Sequence, residues 1–288
     1  MSESPKPLKV NKRMNFVHKT LIASVVFILL LFIVPSSPVQ FDVSSIFSAT
    51  YVLFGILAGF FIAATLTNYF RLQSLISEET SALISLYGRA QDLTGKKATD
   101  VVEAIDQYLI RAFDYELTDY VDNTWTEFNG LFAFEKTIKK KNTNLYSSYL
   151  DFKQRFITIR QEIALTGRKI MGPVHWMLLL ILAMATVFLL YCMRDDSIPS
   201  SILTVVLSSS TLLILFLLED IDNDTFAEEK LSFKIFQRVF EELGKLPYYP
   251  QVSIINKRLK LEKGKTYRIG KYTNYPTSYD KEIITIIA

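Results

Sequence analysis

Residues 173–193, PVHWMLLLILAMATVFLLYCM, and residues 199–218, PSSILTVVLSSSTLLILFLL, contain no Lys, Arg, Asp or Glu. The two runs are 21 and 20 residues long and are separated only by residues 194–198. At about 1.5 Å per helical residue, each run is about 30 Å long, which matches the hydrocarbon core of a bilayer. The pair therefore predicts a helical hairpin that crosses a membrane.

Two further uncharged runs lie near the N-terminus. Residues 50–67 form a run of 18, which is long enough to cross a bilayer, whereas residues 20–34 form a run of only 15. The shorter run, with its basic flank and the serines that follow it, also fits a secretory signal peptide. Pro35, Pro38 and the lack of an A-x-A-like cleavage site favour a membrane helix instead. We therefore expect a second hairpin, made of these two runs.

The basic residues predict the orientation of the spans. Residues 1–19 contain five Lys or Arg, residues 68–171 contain fourteen, and residues 219–288 contain twelve. The loop 35–49 contains none, and the loop 194–198 contains one. Because basic loops stay in the cytoplasm, both termini and the middle segment are predicted to be cytoplasmic, with the protein in the inner or plasma membrane.

The composition excludes several classes of protein. The chain has 288 residues, half of them hydrophobic, and a net charge of only +3. Cys192 is the only cysteine, so a disulfide-stabilised secreted domain is excluded. With two histidines and no Gly-rich phosphate loop, the chain contains no HExxH motif, no zinc set and no nucleotide fingerprint. We expect neither an enzyme nor a nucleic-acid partner.

The predicted fold is an all-α integral membrane protein with four transmembrane helices. A long helical cytoplasmic domain lies between spans two and three, and a C-terminal helix precedes an irregular tail. The predicted divisions are a basic cytoplasmic N-terminus 1–19, a first transmembrane hairpin 20–67, a cytoplasmic helical domain 68–171, a second transmembrane hairpin 172–218, a cytoplasmic amphipathic helix 219–247 and a C-terminal tail 248–288.

The segment between spans two and three lacks proline from residue 71 to residue 170 and predicts roughly three long helices. These are expected to be bounded by the glycines at 88, 95, 130 and 167, the first continuing out of the second span and the last running into the third. After the fourth span, an apolar seam predicts a helix that Gly244 and Pro247 end. The seam consists of Phe226, Phe233, Phe236, Phe240 and Leu243. Beyond Tyr248 the turn signals Gly264, Gly270 and Asn274 predict an irregular or weakly β tail.

Charge is segregated within the middle segment. Residues 100–127 contain eight acids against Arg111, and residues 136–169 contain nine bases against Asp151 and Glu162. These could be two solvated helix faces. Alternatively, the acidic helix of one subunit meets the basic helix of its neighbour or lines a charged vestibule.

The second span shows two stripes at a spacing of four residues. The small residues Gly55, Gly59, Ala63 and Thr67 would let another helix approach closely. An apolar stripe, directed elsewhere, consists of Ala58, Ile62, Leu66 and Phe70. It either faces lipid and neighbouring helices or forms a hydrophobic constriction around a central axis, where dewetting gates a pore.

The fourth span ends in an acidic cluster of Glu219, Asp220, Asp222 and Asp224. Its alternate aspartates imitate an EF-hand loop, but Thr225 and Leu231 occupy the positions of the required glycine and glutamate, so an EF-hand is excluded. The cluster could still hold Ca²⁺ through a looser set of oxygen ligands. The alternative is a solvated acidic segment at the start of a helix.

Over most of residues 15–245 the chain resembles the bestrophin-like membrane family. The resemblance rests on the order of the spans, on Arg71 followed by Glu78-Glu79-Thr-Ser-Ala-Leu-Ile-Ser-Leu-Tyr-Gly-Arg89-Ala, on Gly172-Pro173-Val-His-Trp176 and on the acidic exit from the fourth span. It implies a homopentameric anion channel, conducting chloride, in which Ile62, Leu66 and Phe70 form the neck. It also places the acidic cluster where bestrophins hold a Ca²⁺ clasp, although the sequence pattern of that clasp is not reproduced.

The first functional hypothesis is therefore an oligomeric anion channel in a lipid bilayer, with a central pore lined by the second span. The second is a membrane-anchored signalling or scaffold protein, in which the helical cytoplasmic domain binds a partner. A sensor with an outward-facing middle domain is a third reading, which the distribution of lysines disfavours.

Overall fold

The computed structural model describes residues 16–34, 43–94, 98–115, 119–137, 143–167, 170–195, 197–222, 233–255, 261–275 and 278–288. The helices of these segments are α1 (Phe16–Ile33), α2 (Val43–Thr94), α3 (Thr99–Ala112), α4 (Tyr120–Asn123), α5 (Trp125–Gly130), a 3-10 turn (Ala133–Thr137), α6 (Thr143–Thr166), α7 (Pro173–Cys192), α8 (Ile198–Asp222), α9 (Phe233–Glu242) and α10 (Gln251–Ile255). The strands are β1 (Tyr248–Pro250), β2 (Thr266–Tyr272) and β3 (Lys281–Ile287).

The chain divides into two compact units. The first, here called the membrane unit, comprises Lys12–Tyr69 and Lys169–Phe226. The second, here called the helix–sheet unit, comprises Met1–Asn11, Phe70–Arg168 and Ala227–Ala288. The boundary falls within α2, which continues out of the predicted second span without interruption, as the sequence predicts.

In the described residues of the membrane unit, three helices are long and apolar enough to cross a membrane, namely α2, α7 and α8. The apolar part of α1, Leu21–Ile33, is shorter than the other three. Four spans therefore remain the prediction from sequence.

Polar contacts fix α1 against the end of α7. The hydroxyl of Tyr191 donates to the carbonyl of Phe27 at 2.7 Å. The guanidinium of Arg194 donates to the carbonyls of Leu31 and Val34 at 3.1 and 2.9 Å. Carbonyls in the last turn of a helix have no partner within that helix, so Arg194 satisfies two groups that would otherwise need water.

The helices of the middle segment differ from the prediction in two ways. Gly88 lies inside α2 and does not bound a helix, because tertiary packing outweighs the modest helix penalty of one glycine. The last helix, α6, ends at Thr166 and does not run into the third span, so that part of the prediction is wrong. A new helix begins at Pro173, with Gly172 in extended geometry before it, since proline lacks the N–H that a continuous helix needs.

Of the two predictions for the tail, irregular or weakly β, the structure bears out the β one, so the all-α fold class is wrong for this part of the chain. The tail forms a three-stranded sheet in the order β1-β2-β3, in which β1 is parallel and β3 antiparallel to β2. Gly270 lies within β2 and is not a turn residue, because the ring of Tyr248 crosses directly over it and leaves no room for a Cβ atom. Of the predicted turn residues, Gly264 does lie in a turn, with φ of +80°.

Of the predicted C-terminal helix 219–247, residues 219–222 belong to α8, residues 223–232 lie outside the described residues, and α9 covers Phe233–Glu242. Helix α9 buries Phe236, Val239 and Phe240, and it is followed by Gly244 with φ of +68°. Phe226 and the side chain of Phe233 lie outside the described residues. The ring of Phe113, at the end of α3, packs edge-on against Phe236, so the seam faces the interior of the helix–sheet unit.

Candidate functional site

The membrane half of α2 has one buried face. Phe54, Ala58 and Phe61 are at most 8% exposed, and they pack with residues of α7 and α8. Their partners in this cluster are Met171, Leu179, Ala183, Leu215 and Leu218. Ala58, which the sequence places in the apolar stripe, therefore belongs to the core of the membrane unit.

The small-residue stripe lies on the open side of the same helix. Gly55, Gly59, Ala63 and Thr67 are all exposed, and no atom lies within 4 Å of the position that a Cβ would take on Gly55 or Gly59. The hydroxyl of Thr67 donates to the carbonyl of Ala63 at 2.9 Å, which leaves a smooth surface. That another helix packs on this face remains a prediction.

The three predicted neck residues differ in exposure. Ile62 is partly buried against the membrane-unit core, Leu66 is half-buried, and Phe70 is 61% exposed. The apolar stripe therefore turns from the core toward the open side as α2 proceeds. Whether Ile62, Leu66 and Phe70 form a constriction remains a prediction.

Beyond Phe70 the lining of α2 becomes polar. Ser74, Ser77, Ser81 and Ser85 follow one another at helical spacing along one wall of a groove of about 640 Å³ in the helix–sheet unit. Helix α6 contributes the opposite wall, with Phe152, Arg155 and Ile159 among its residues. Sequence reasoning missed this groove, although the serine spacing on a continuous helix was a usable signal.

Charged side chains surround this groove. Arg71 pairs with Glu162 and lies 3.8 Å from Glu78, which in turn lies 3.9 Å from Arg155. Arg89 donates to the hydroxyl of Ser148 at 3.0 Å. These groups are largely exposed, so their pairs contribute little to stability. Of these charged residues, Glu78, Arg89 and Arg155 line the groove itself.

A buried polar cluster lies in the core of the helix–sheet unit. The carboxylate of Glu79 accepts hydrogen bonds from the hydroxyls of Tyr108 at 2.5 Å and Tyr120 at 3.0 Å. The guanidinium of Arg160, which is 1% exposed, lies 3.9 Å from the ring centre of Phe128. Burial raises the pKa of Glu79, while Arg160 and the two tyrosine hydroxyls oppose that rise.

Two carboxylates of the acidic segment around α3 pair with basic side chains of the C-terminal sheet. Arg268 forms two bonds of 2.7 Å with Asp106, and the ammonium of Lys281 lies 2.6 and 2.7 Å from the oxygens of Asp114. Asp106 and Asp114 are buried, at 4% and 0% exposure. Neither of the two readings from sequence, solvated faces or contacts between subunits, anticipated these partners, because they come from the C-terminal sheet.

The acidic residues at the C-terminal end of α8 have two different kinds of partner, a lysine and neutral N–H donors. Lys19 lies 3.1 Å from Asp220 and 3.6 Å from Glu219. The oxygens of Asp222 accept bonds from the backbone N–H of Met171 at 3.1 Å and the indole N–H of Trp176 at 3.3 Å.

These contacts bear on the expected Ca²⁺ site. Across the described part of the chain no three His, Cys, Asp or Glu side chains are grouped as metal ligands, and Asp224 lies outside that part. Glu219, Asp220 and Asp222 already face a lysine or N–H donors. A Ca²⁺ ion would have to displace those groups, so the arrangement does not fit the ion as it stands, and Ca²⁺ binding remains a prediction.

A family model described as the bestrophin-like domain matches residues 20–224. The chain belongs to the bestrophin-like family. This confirms the resemblance drawn from the motifs around Glu78-Glu79 and Gly172-Pro173. The family match and the three apolar helices together show that the bestrophin-like chain is an integral membrane protein.

Solved structures support the same fold. A bacterial bestrophin homologue from Klebsiella pneumoniae, phased on zinc, has a TM-score of 0.56 at 13% identity, covering 81% of this chain and 97% of its own. Two point variants of that homologue have TM-scores of 0.56 and 0.52, each at 13% identity, covering 81% and 80% of this chain and 100% and 96% of their own. Among curated proteins, no sequence matches.

Proposed function

We propose that this bestrophin-like protein is an oligomeric ion channel that conducts anions such as chloride along an axis lined by α2. The observation that carries the proposal is the open face of α2. It presents small residues at Gly55, Gly59 and Ala63, then the exposed Phe70, and then serines. Around an axis, this order would give close helix contacts, a dry constriction and a hydrated lining in succession.

The charges along this serine-lined groove favour the conduction of anions over that of cations. Arg89 and Arg155 border the serine-lined groove, and Glu78 is its one carboxylate among the lining residues. Glu78 is partnered by Arg71 and Arg155. Hydroxyls and guanidinium groups replace part of the hydration shell of an anion, and the guanidinium charge raises the local anion concentration.

A flux assay tests the proposal. Purified protein in liposomes should release trapped chloride, and replacing Ile62, Leu66 and Phe70 together by Ala should increase the rate several-fold, because a dry constriction is widened. A matched control replaces Met177, Met184 and Phe188 of α7, which are 57%, 64% and 67% exposed, and should leave the rate unchanged.

Stoichiometry provides the second test. Five copies around an axis, measured by mass photometry or native mass spectrometry, would support the channel. A dimer would contradict the proposal of a pore along a central axis lined by α2. Liposomes that stay silent across pH, voltage and Ca²⁺ would favour the alternative function, a membrane-anchored scaffold.

A further inference from the structure

One carboxylate of the membrane unit is buried, and no cation among the described residues lies beside it. Asp222, at the end of α8, is 5% exposed, and its bonds come from two neutral donors, the N–H of Met171 and the indole of Trp176. Within the described residues, no Lys, Arg or His nitrogen lies within 4.0 Å of it, whereas Lys19 pairs with Glu219 and Asp220. A buried carboxylate is costly unless a positive group compensates it.

Asp222 lines a groove of about 520 Å³ between α7 and α8. Glu219, with a side chain 51% exposed, and Trp176 line the same end of it. Toward the other end, Leu180, Leu212 and Leu215 make the walls apolar. The groove is thus negative and polar at one end and apolar along its length.

The length and position of this groove match a lipid chain. From Asp222 back to Leu212 is ten residues of α8, or about 15 Å along the helix axis. Tryptophan is enriched in membrane proteins where headgroups give way to hydrocarbon, and we infer that Trp176 lies at that level. An acyl chain could therefore lie along the leucines while its headgroup remains at the carboxylates.

We propose that this groove binds a phospholipid with a primary amine headgroup, of the phosphatidylethanolamine type, and that Asp222 and Glu219 accept hydrogen bonds from its ammonium. A carboxylate has about four lone-pair sites, and Asp222 uses two of them for Met171 and Trp176. An ammonium group supplies up to three donors and a positive charge, which no described residue places within 4.0 Å of Asp222. An anionic phospholipid such as phosphatidylglycerol supplies no such cation.

The test uses the full-length protein in nanodiscs of phosphatidylglycerol, with or without phosphatidylethanolamine of the same acyl chains. The aminolipid should raise the thermal midpoint of the wild type, and native mass spectrometry should show it retained after detergent exchange. Asp222→Asn removes the charge and keeps one of the two acceptor oxygens, so one of the bonds from Met171 and Trp176 is also lost. It should weaken retention at least about tenfold, as expected for losing a charge-assisted bond.

Two further variants keep the outcome interpretable. Leu212→Trp fills the apolar part of the groove and should also abolish retention, while Asp195→Asn, at an exposed carboxylate beyond α7, should retain the lipid as the wild type does. Equal stabilisation by both lipids, or retention by Asp222→Asn equal to that of the wild type, would overturn the proposal. So would Ca²⁺ that stabilises the wild type alone and expels the aminolipid, because the missing charge would then be a metal ion.

Discussion

Replacing Lys281 by Met should destabilise the helix–sheet unit more than any other removal of a single lysine charge in its described residues. The ammonium of Lys281 contacts both oxygens of Asp114 and donates to the carbonyl of Ile110 at 2.8 Å. The side chains of Lys281 and Asp114 are only 10% and 0% exposed, so solvent screens their attraction little. Methionine keeps most of the aliphatic stem but leaves Asp114 charged and buried.

The magnitude follows from this geometry. At an effective dielectric constant of about 20, two charges about 2.7 Å apart attract by about 6 kcal/mol. Desolvation of the ammonium opposes that attraction and has the larger effect on the pKa of Lys281, which lies below the ordinary value for lysine. Removing one partner of a buried pair typically costs about 3 to 5 kcal/mol, because the other charge is left uncompensated. For a unit of this size, the thermal midpoint should fall by about 10 °C.

Thermal unfolding in detergent, followed by fluorescence of Trp125 in the helix–sheet unit, measures this shift. Lys265→Met is the matched control, because Lys265 pairs with Glu262 on the surface, where solvent screens the pair, and its loss should leave the thermal midpoint nearly unchanged. Adding Asp114→Asn to Lys281→Met should recover part of the lost stability, since it removes the buried negative charge that Lys281→Met leaves unpaired. If Lys281→Met unfolds at the same temperature as Lys265→Met, the buried pair of Lys281 and Asp114 does not stabilise the helix–sheet unit.

Three further predictions concern other features of the chain. Because burial raises the pKa of Glu79, its contribution to stability is greatest below the ordinary carboxyl pKa and is lost as pH rises through the raised value. Glu79→Gln should therefore reduce the dependence of the thermal midpoint on pH between pH 4 and 8, where each pH unit can account for up to about 1.4 kcal/mol. Gly270→Ala places a Cβ against the hydroxyl of Tyr248 and should cost about 1 to 3 kcal/mol, and the double variant with Tyr248→Phe should unfold at a higher temperature than Gly270→Ala alone. Gly59→Leu should reduce the fraction of oligomer seen by mass photometry, whereas Ile56→Leu, also on the exposed part of α2, should not; equal fractions would exclude the small-residue stripe from the subunit contact.

The sequence predicted the membrane helices because their signal is local. Residues 173–193 become α7 from Pro173 to Cys192, and residues 199–218 lie within α8. An uncharged run of about 20 residues identifies a span without any knowledge of its neighbours. The family resemblance, carried by short motifs around Glu79 and Pro173, was recognisable for the same reason.

What the sequence did not reveal depends on contacts between distant residues. Gly270 looks like a turn signal until Tyr248 is seen to cross it, and the acidic helix looks exposed until Arg268 and Lys281 are placed beside it. Likewise, Asp222 reads as one member of an acidic run, while the structure separates it from Asp220 by giving it Trp176 as a partner. Pairings of this kind are not encoded in periodicity or composition.

The pair of Asp114 and Lys281 also constrains how the protein is made. The two residues are 167 positions apart in the chain, and both α7 and α8 lie between them. At about 5 to 20 residues per second, a ribosome needs about 10 to 30 s to synthesise that interval. During this time the carboxylates of Asp106 and Asp114 exist without Arg268 and Lys281. The helix–sheet unit can therefore complete its core only after the last membrane helices have been synthesised, and nascent chains that stop before residue 268 should remain substrates for proteases and chaperones.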